Sequence, residues 1–236
     1  MLYRPIRTVA LMVSVFREPE LHLGVQASDV METFYKALQR SQSLTLNDLL
    51  TFGGTSYGDL KLTIITFRGG GRIEITPGAL FVHLSNVLRK NGYAEVAKEH
   101  LQDCENALRN ALKGVEISER LMRASVWAAC EGGSSAVEAF LGEKGNAALK
   151  LDQGAYAMWK KDFTFQFSGL DTSRAARLGL ILERSKADGD LYVQFEHTQI
   201  GSPTVAQTVK QQFEHAEKEL ETLMLHIGLE PKKEDA

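Results

Sequence analysis

The sequence has few cysteines and no long apolar run, and each shortage excludes a class of protein. Its 236 residues contain only Cys104 and Cys130, which do not form a C-x-x-C pair. Disulfide-rich secreted scaffolds and cysteine-based zinc sites both need more. No apolar run approaches the roughly 18 residues of a membrane span, and the N-terminal stretch lacks the apolar core of a signal peptide. We therefore expect a cytoplasmic protein with two reduced thiols and no membrane association.

Neither positive nor negative charge is in large excess. The chain has 27 Lys and Arg against 30 Asp and Glu, for a net charge of −3 at pH 7. A protein that binds nucleic-acid backbones usually has a basic excess on one face. A nucleic-acid partner is therefore possible but is not favoured by charge. The apolar fraction of 44% is that of an ordinary globular protein.

Metal-binding patterns are also missing. No two of the six histidines have the H-x-x-x-H spacing that places two ligands on one helix face, and H-E-x-x-H does not occur. His83 and His197 lie on the last predicted strands of the two halves of the chain, but not at equivalent positions. The sequence predicts no metal site and no cofactor.

Two glycine-containing stretches resemble catalytic motifs without meeting their requirements. Gly54–Gly58 matches G-x-S-x-G, but a nucleophile elbow needs a helix after the serine, and here a strand pattern follows. Glu131–Ser135 lies between a strand and a helix, yet it lacks the lysine and the spacing of a P-loop. No catalytic residue is predicted, and whether the protein is an enzyme stays open, with the balance against it.

A hairpin pattern occurs twice. The alternating stretch Leu80–Leu84 follows a Pro77-Gly78 turn, and Leu191–Phe195 follows an Asp188-Gly189 turn at an offset of 111 residues. At the same offset, Ser14-Val-Phe falls on Ser125-Val-Trp. The sequence therefore predicts a tandem duplication within one structural domain. Its parts are a first repeat over 1–114, a second over 115–228 and a disordered tail over 229–236.

Each half has the pattern of a strand, a short helix, three or four strands and a long helix. Val9–Phe16 is apolar on both faces, which predicts a central strand buried on two sides. Asp29 and Ser135 each begin a capping-box pattern that predicts the start of a short helix. The fold class expected is α+β: a duplicated β-α-β(3-4)-α unit whose antiparallel sheets carry two long helices on one face.

This order of elements, written twice, resembles the TATA-binding-protein-like arrangement. The resemblance covers most of the chain and consists of element order, with no shared motif. The chain also looks like functionally uncharacterised bacterial proteins of similar length with the same order. The first resemblance implies a paired-repeat fold, the second implies no activity, and neither transfers a functional residue.

The sheet face opposite the predicted helices is the candidate site. Its possible ligand or partner residues are Arg68, Arg72, Phe81, His83, Arg123, Tyr192 and Gln194. The leading hypothesis is a non-catalytic binding or assembly protein that acts through self-association or a protein partner. The alternative is a nucleic-acid or nucleotide binder that uses Arg68, Arg72 and Arg123. An enzyme of unrecognised type is the third hypothesis.

Overall fold

The computed structural model describes most of the chain, namely residues 1–22, 24–42, 48–52, 61–66, 70–85, 93–146, 157–161, 164–171, 176–185, 189–200 and 208–232. Within these ranges the protein has an α+β fold with an antiparallel sheet, as predicted. Its four described α-helices are α1 (Ala27–Gln42), α2 (Tyr93–Ala111), α3 (Gly133–Asn146) and α4 (Val209–His226).

Eleven described strands form one sheet. They are β1 (Leu2–Phe16), β2 (Leu49–Phe52), β3 (Lys61–Thr66), β4 (Gly71–Thr76), β5 (Ala79–Ser85), β6 (Ile117–Cys130), β7 (Ala157–Lys161), β8 (Thr164–Asp171), β9 (Ala176–Arg184), β10 (Leu191–Ile200) and β11 (Glu230–Pro231). Their order is β2-β3-β4-β5-β1-β6-β10-β9-β8-β7, and β11 pairs with β1. All pairs along this order are antiparallel, whereas β11 lies parallel to β1.

The centre of the sheet is the antiparallel pair β1–β6. Met12 lies opposite Val82 of β5 on one side and opposite Met122 of β6 on the other. The central position of β1 agrees with the prediction, but the predicted burial on both sides is wrong, since one face of the strand is only half-buried and Val15 on that face is exposed. A register shift between Pro5 and Arg7 interrupts its pairing with β6.

Two hydrophobic clusters form the core. The first joins Met12 and Ile73 of the sheet to Phe34 of α1 and Leu101 of α2. The second includes Val193 and residues from α3 and α4. Full burial of one such side chain contributes roughly 1.5–3 kcal/mol, so these clusters are the main source of stability.

Helices α1 and α3 begin earlier in the chain than their predicted capping boxes. The starts of α1 at Ala27 and α3 at Gly133 place Asp29 and Ser135 in the first turn rather than at the cap. The amides of both Asp29 and Val30 donate to the Gln26 carbonyl. Ser202 followed by Pro203 has the pattern of an N-cap and a first helical proline, which predicts the start of the last helix, but both residues lie outside the described part. Instead α4 has a complete capping box, formed by Thr208 and Gln211.

Two further sequence expectations need correction. The offset of 111 aligns Ser14 with Ser125, yet Ser14 lies opposite Arg120, so the two serines are on opposite faces of the sheet. The disordered tail predicted over 229–236 is wrong for residues 229–232, because Leu229 is buried and the amide of Lys232 donates to the Tyr3 carbonyl. Residues 233–236 lie outside the described part.

Gly189, just before β10, requires glycine. Its φ is +71°, and a Cβ there would lie 2.6 Å from the carbonyl oxygen of Ala128, because this turn docks on β6. We expect Gly189→Ala to lower the unfolding free energy by about 2–4 kcal/mol in denaturant titration. Gly78→Ala is the control, since nothing lies within 4 Å of its Cβ position. Equal effects at the two glycines would contradict this account.

Candidate functional site

The residues selected from the sequence are brought together on one face of the sheet. Arg72, His83, Leu11, Arg123 and Glu196 are consecutive cross-strand neighbours, in a row from β4 to β10. We call the face that carries this row the His83 face, and the face that carries Met12 the core face. Cross-strand neighbours share a face, so the row crosses five strands.

The other predicted site residues have defined positions as well. Phe81 lies on the His83 face two residues from His83, and Tyr192 and Gln194 lie there at alternate positions of β10. Arg68 lies outside the described residues. The structure therefore brings six of the seven predicted residues onto one surface.

A hydrogen-bonded chain of side chains crosses this face. The Ser125 hydroxyl lies 3.2 Å from the Tyr192 hydroxyl, which donates to Gln194 Oε1 at 2.7 Å. Gln194 Nε2 donates to Glu196 Oε1 at 3.0 Å, and Arg123 Nε donates to the same oxygen at 2.7 Å. Each member holds the next, so the polar part of the face is held in one arrangement.

Aromatic side chains continue the chain towards the end of β6. The rings of Trp127 and Tyr192 have centroids 4.9 Å apart, and the Arg7 guanidinium lies 4.7 Å from the Trp127 ring centroid. A cation at this distance from an indole face is attracted by its quadrupole. The sequence reasoning missed both Arg7 and Trp127. Strand alternation could have found Trp127, which lies two residues from Ser125.

Cations on the His83 face form ion pairs on that face. Lys61 and Arg72 both pair with Glu74, and Arg123 Nη2 lies 2.6 Å from Glu196 Oε1. Burial lowers the pKa of His83, and the charges of Arg7 and Arg72 lower it further. His83 is therefore predominantly neutral at neutral pH, and several arginines already have carboxylate partners.

The centre of the His83 face is apolar. Val9, Leu11 and Val13 of β1 and Leu121 of β6 lie on it, and all four are half-buried. At its margins Val15 is 37% exposed and Leu50 is 44% exposed. This aliphatic centre is a surface that could bury further apolar area on contact with another molecule.

A second polar cluster, which the sequence reasoning missed, lies in the core. Arg120 is 1% exposed and makes two hydrogen bonds to Glu105, at 2.9 and 2.7 Å. Its Nη1 donates to Gln212 Oε1 at 3.1 Å, and Gln212 Nε2 lies 3.2 Å from His197 Nδ1. The cluster joins α2, β6, α4 and β10, so it stabilises their packing.

Conventional catalytic groups are not assembled within the described residues. They contain no group of three or more His, Cys, Asp or Glu that could hold a metal ion. Both cysteines are free and buried, and burial raises the pKa of Cys104 and raises that of Cys130 to about 11. Neither thiol is a ready nucleophile at neutral pH. A cleft of about 430 Å³, solvent at its mouth included, lies between α4 and β6 and is lined mainly by apolar side chains.

Comparison with known proteins assigns no family, since no family model and no curated protein matches the chain. A search of the described helices found none that is both long enough and apolar enough to cross a membrane.

Proposed function

We propose that this is a non-catalytic binding or assembly protein and that the His83 face is its binding surface, through which it self-associates. The observation that carries the proposal is the aliphatic centre of that face on β1 and β6. The sequence of β1 is apolar on both sides, and such strands are usually covered on both sides. Met12 on the core face is fully buried, whereas Leu11 and Val13 on the His83 face are not.

We also propose that the helices cover the core face of the sheet. The residues that make up the two hydrophobic clusters support this arrangement. Phe34, Leu101 and Phe213 of three helices cluster with Met12, and Val137 of α3 clusters with Val193. Met12 and Val193 share the core face, because Val193 lies opposite Val126, and Val126 and Met122 alternate on β6. The His83 face is then left for a partner.

A tandem duplication with a TATA-binding-protein-like arrangement is also part of the proposal. The strand order supports it, because the halves β2-β3-β4-β5-β1 and β6-β10-β9-β8-β7 are mirror images in sequence order. At the offset of 111, Val82 of β5 corresponds to Val193 of β10, and both lie on the core face. Val82 pairs with Met12 of β1, and Val193 pairs with Val126 of β6. Met12 therefore corresponds to Val126, so β1 and β6 align at an offset of 114. A pseudo-twofold axis would pass through the Ala10–Ala124 pair.

Nucleic-acid or nucleotide binding through Arg72 and Arg123 is the second candidate, with Arg68 outside the described part. Both described arginines have glutamate partners, so a phosphate would have to displace a carboxylate at each. This candidate is tested by measuring the binding of mixed-sequence oligonucleotides over a range of salt. Backbone binding would weaken steeply with salt. We propose a cytoplasmic location, which the two free thiols support.

Light scattering after size-exclusion chromatography tests the proposed function. We expect the wild type to have a mass above that of the monomer, and Leu121→Lys to weaken the association at least about 100-fold, because a lysine would be desolvated at the centre of the interface. Leu225→Lys is the matched control, since Leu225 is 51% exposed but lies on α4. A wild type that stays monomeric up to about 100 µM, or equal effects of both variants, would contradict the proposal.

A further inference from the structure

We infer that the occupant of the His83 face is a second copy of the same chain, stacked face to face about a twofold axis parallel to β1 and β6. This inference rests on the proposed function and adds the orientation of the partner. Closed twofold dimers are the commonest soluble oligomers, and their interfaces must be complementary to themselves.

Two sheet faces can be stacked about an in-plane axis that runs along the strands or across them. An axis along the strands, between β1 and β6, places the half of the face on β2–β5 and β1 against the half on β6–β10 of the other copy. An axis across the strands places each half against itself. Charge separates the two arrangements, because the halves differ in net charge.

The described charges on the first half are mainly positive. Arg4, Arg7, Lys61 and Arg72 outnumber Glu74 there. On the second half the backbone register places as many acids as bases: Glu119, Glu183 and Glu196 against Arg123, Lys161 and Arg177. Like charges placed opposite one another are unfavourable, so an axis along the strands is favoured.

The individual rows of side chains support the same axis. One row runs Glu74, Phe81, Val13, Leu121, Thr198, Arg177 from β4 to β9. Reversal of this row about its centre places Glu74 opposite Arg177 and Val13 opposite Leu121. An acid then meets a base at both ends, and aliphatic side chains meet at the middle.

The neighbouring rows behave in the same way. In the row that defines the face, reversal places His83 opposite Glu196 and Leu11 opposite Arg123. In the row at the other end, Arg7 comes opposite Trp127, to which it already makes a cation–π contact within one chain. Three rows are therefore compatible with themselves when reversed, and none places two like charges opposite each other.

The size of the surface is adequate for a stable dimer. The rows cross six adjacent strands, β4-β5-β1-β6-β10-β9, which are spaced at about 4.8 Å. With about seven residues along each strand, at about 3.4 Å each, the area is on the order of 700 Å² per copy. Standard protein interfaces bury about 800 Å² per partner, so these rows alone approach the usual size.

A charge-swap experiment tests the inference with Glu74→Arg and Arg177→Glu. Alone, each variant opposes two like charges across the dimer, so we expect its homodimer to be weakened about 10- to 100-fold by light scattering. An equimolar mixture should recover wild-type association as a heterodimer, because opposite charges then face each other again at both of these contacts. The double variant E74R/R177E should recover it as a homodimer. Glu214→Arg on α4 is the control for charge reversal off the face and should leave the dimer unchanged.

Cysteine cross-linking is a second test of the axis that does not depend on charge. Facing sheets stack about 10 Å apart, beyond the reach of a disulfide, so a short bismaleimide is the suitable cross-linker. Val13→Cys mixed with Leu121→Cys should form a cross-linked dimer with this reagent, and neither variant should do so efficiently alone. If the wild type is monomeric, the proposed self-association fails. If the wild type is dimeric but neither the mixture nor the cysteine pair behaves as stated, the axis is wrong and the function stands.

Discussion

Replacement of Glu105 with glutamine is expected to lower the unfolding free energy by about 3–5 kcal/mol. Glu105 is 3% exposed and accepts two of the hydrogen bonds that the Arg120 guanidinium donates. It also accepts two from Arg109, at 3.2 and 3.0 Å. Burial lowers the pKa of Arg120, and Glu105 opposes that shift, so removal of the carboxylate leaves a buried cation without its counter-charge. Urea titration followed by circular dichroism measures the loss.

The matched control removes both charges of the pair. Glu105→Leu combined with Arg120→Met should recover much of the stability that Glu105→Gln loses, because buried ion pairs are often replaceable by apolar groups of similar volume. An effect of Glu105→Gln below about 1 kcal/mol would show that the pair is hydrated in solution. A double variant less stable than Glu105→Gln would show that Gln212, which also bonds Arg120, needs the guanidinium.

Truncation of Leu101 to alanine is the second large effect that we expect, about 2–5 kcal/mol of unfolding free energy. Leu101 is 1% exposed in the first hydrophobic cluster. Leu220 of α4 is only half-buried at the margin of the second cluster, so Leu220→Ala should cost less, about 0.5–2 kcal/mol. Denaturant titration of the two variants side by side checks this order.

The shape of the unfolding transition in these variants reports on the two halves. Because β1 pairs with β6 along most of its length and Arg120 joins α2 to α4, we expect a single transition in both variants. An early transition confined to the second half in Leu220→Ala would indicate two separate domains. A silent Leu220→Ala would show that Leu220 contributes little to the second cluster.

The periodic parts of the fold were predictable from the sequence, and the short-range signals were not. The apolar alternation of Leu80–Leu84 and Leu191–Phe195 gave strands with the correct face inward, because burial of one face determines alternation. The capping boxes at Asp29 and Ser135 failed because either position can serve in a first turn as well as at a cap. An alignment error of an odd number of residues changes the face, and the match of Ser14 to Ser125 places two serines that lie on opposite faces at equivalent positions.

The candidate site was predictable only in part. Strand alternation selected His83, Tyr192 and Gln194, since their polarity interrupts apolar strands. Arg7 was missed because a register shift beside it breaks the alternation of β1. The buried Arg120–Glu105 pair was missed because its members, on β6 and α2, meet only through tertiary packing. An isolated arginine in a strand pattern gives no signal that its partner lies on a helix.

The place of β1 in the sheet has a consequence for the kinetics of folding. Every neighbour of this strand is distant in sequence: β5 and β6 flank it, and β11 pairs with its first residues near the other end of the chain. Loops must close before any of these contacts form, and chains dominated by such contacts fold slowly, in milliseconds to seconds. During synthesis, β1 emerges before either of the strands that flank it. One edge can pair only after β5 has followed, and the other only after residue 130 has left the ribosome, and an apolar strand with an unpaired edge is prone to aggregate during this interval.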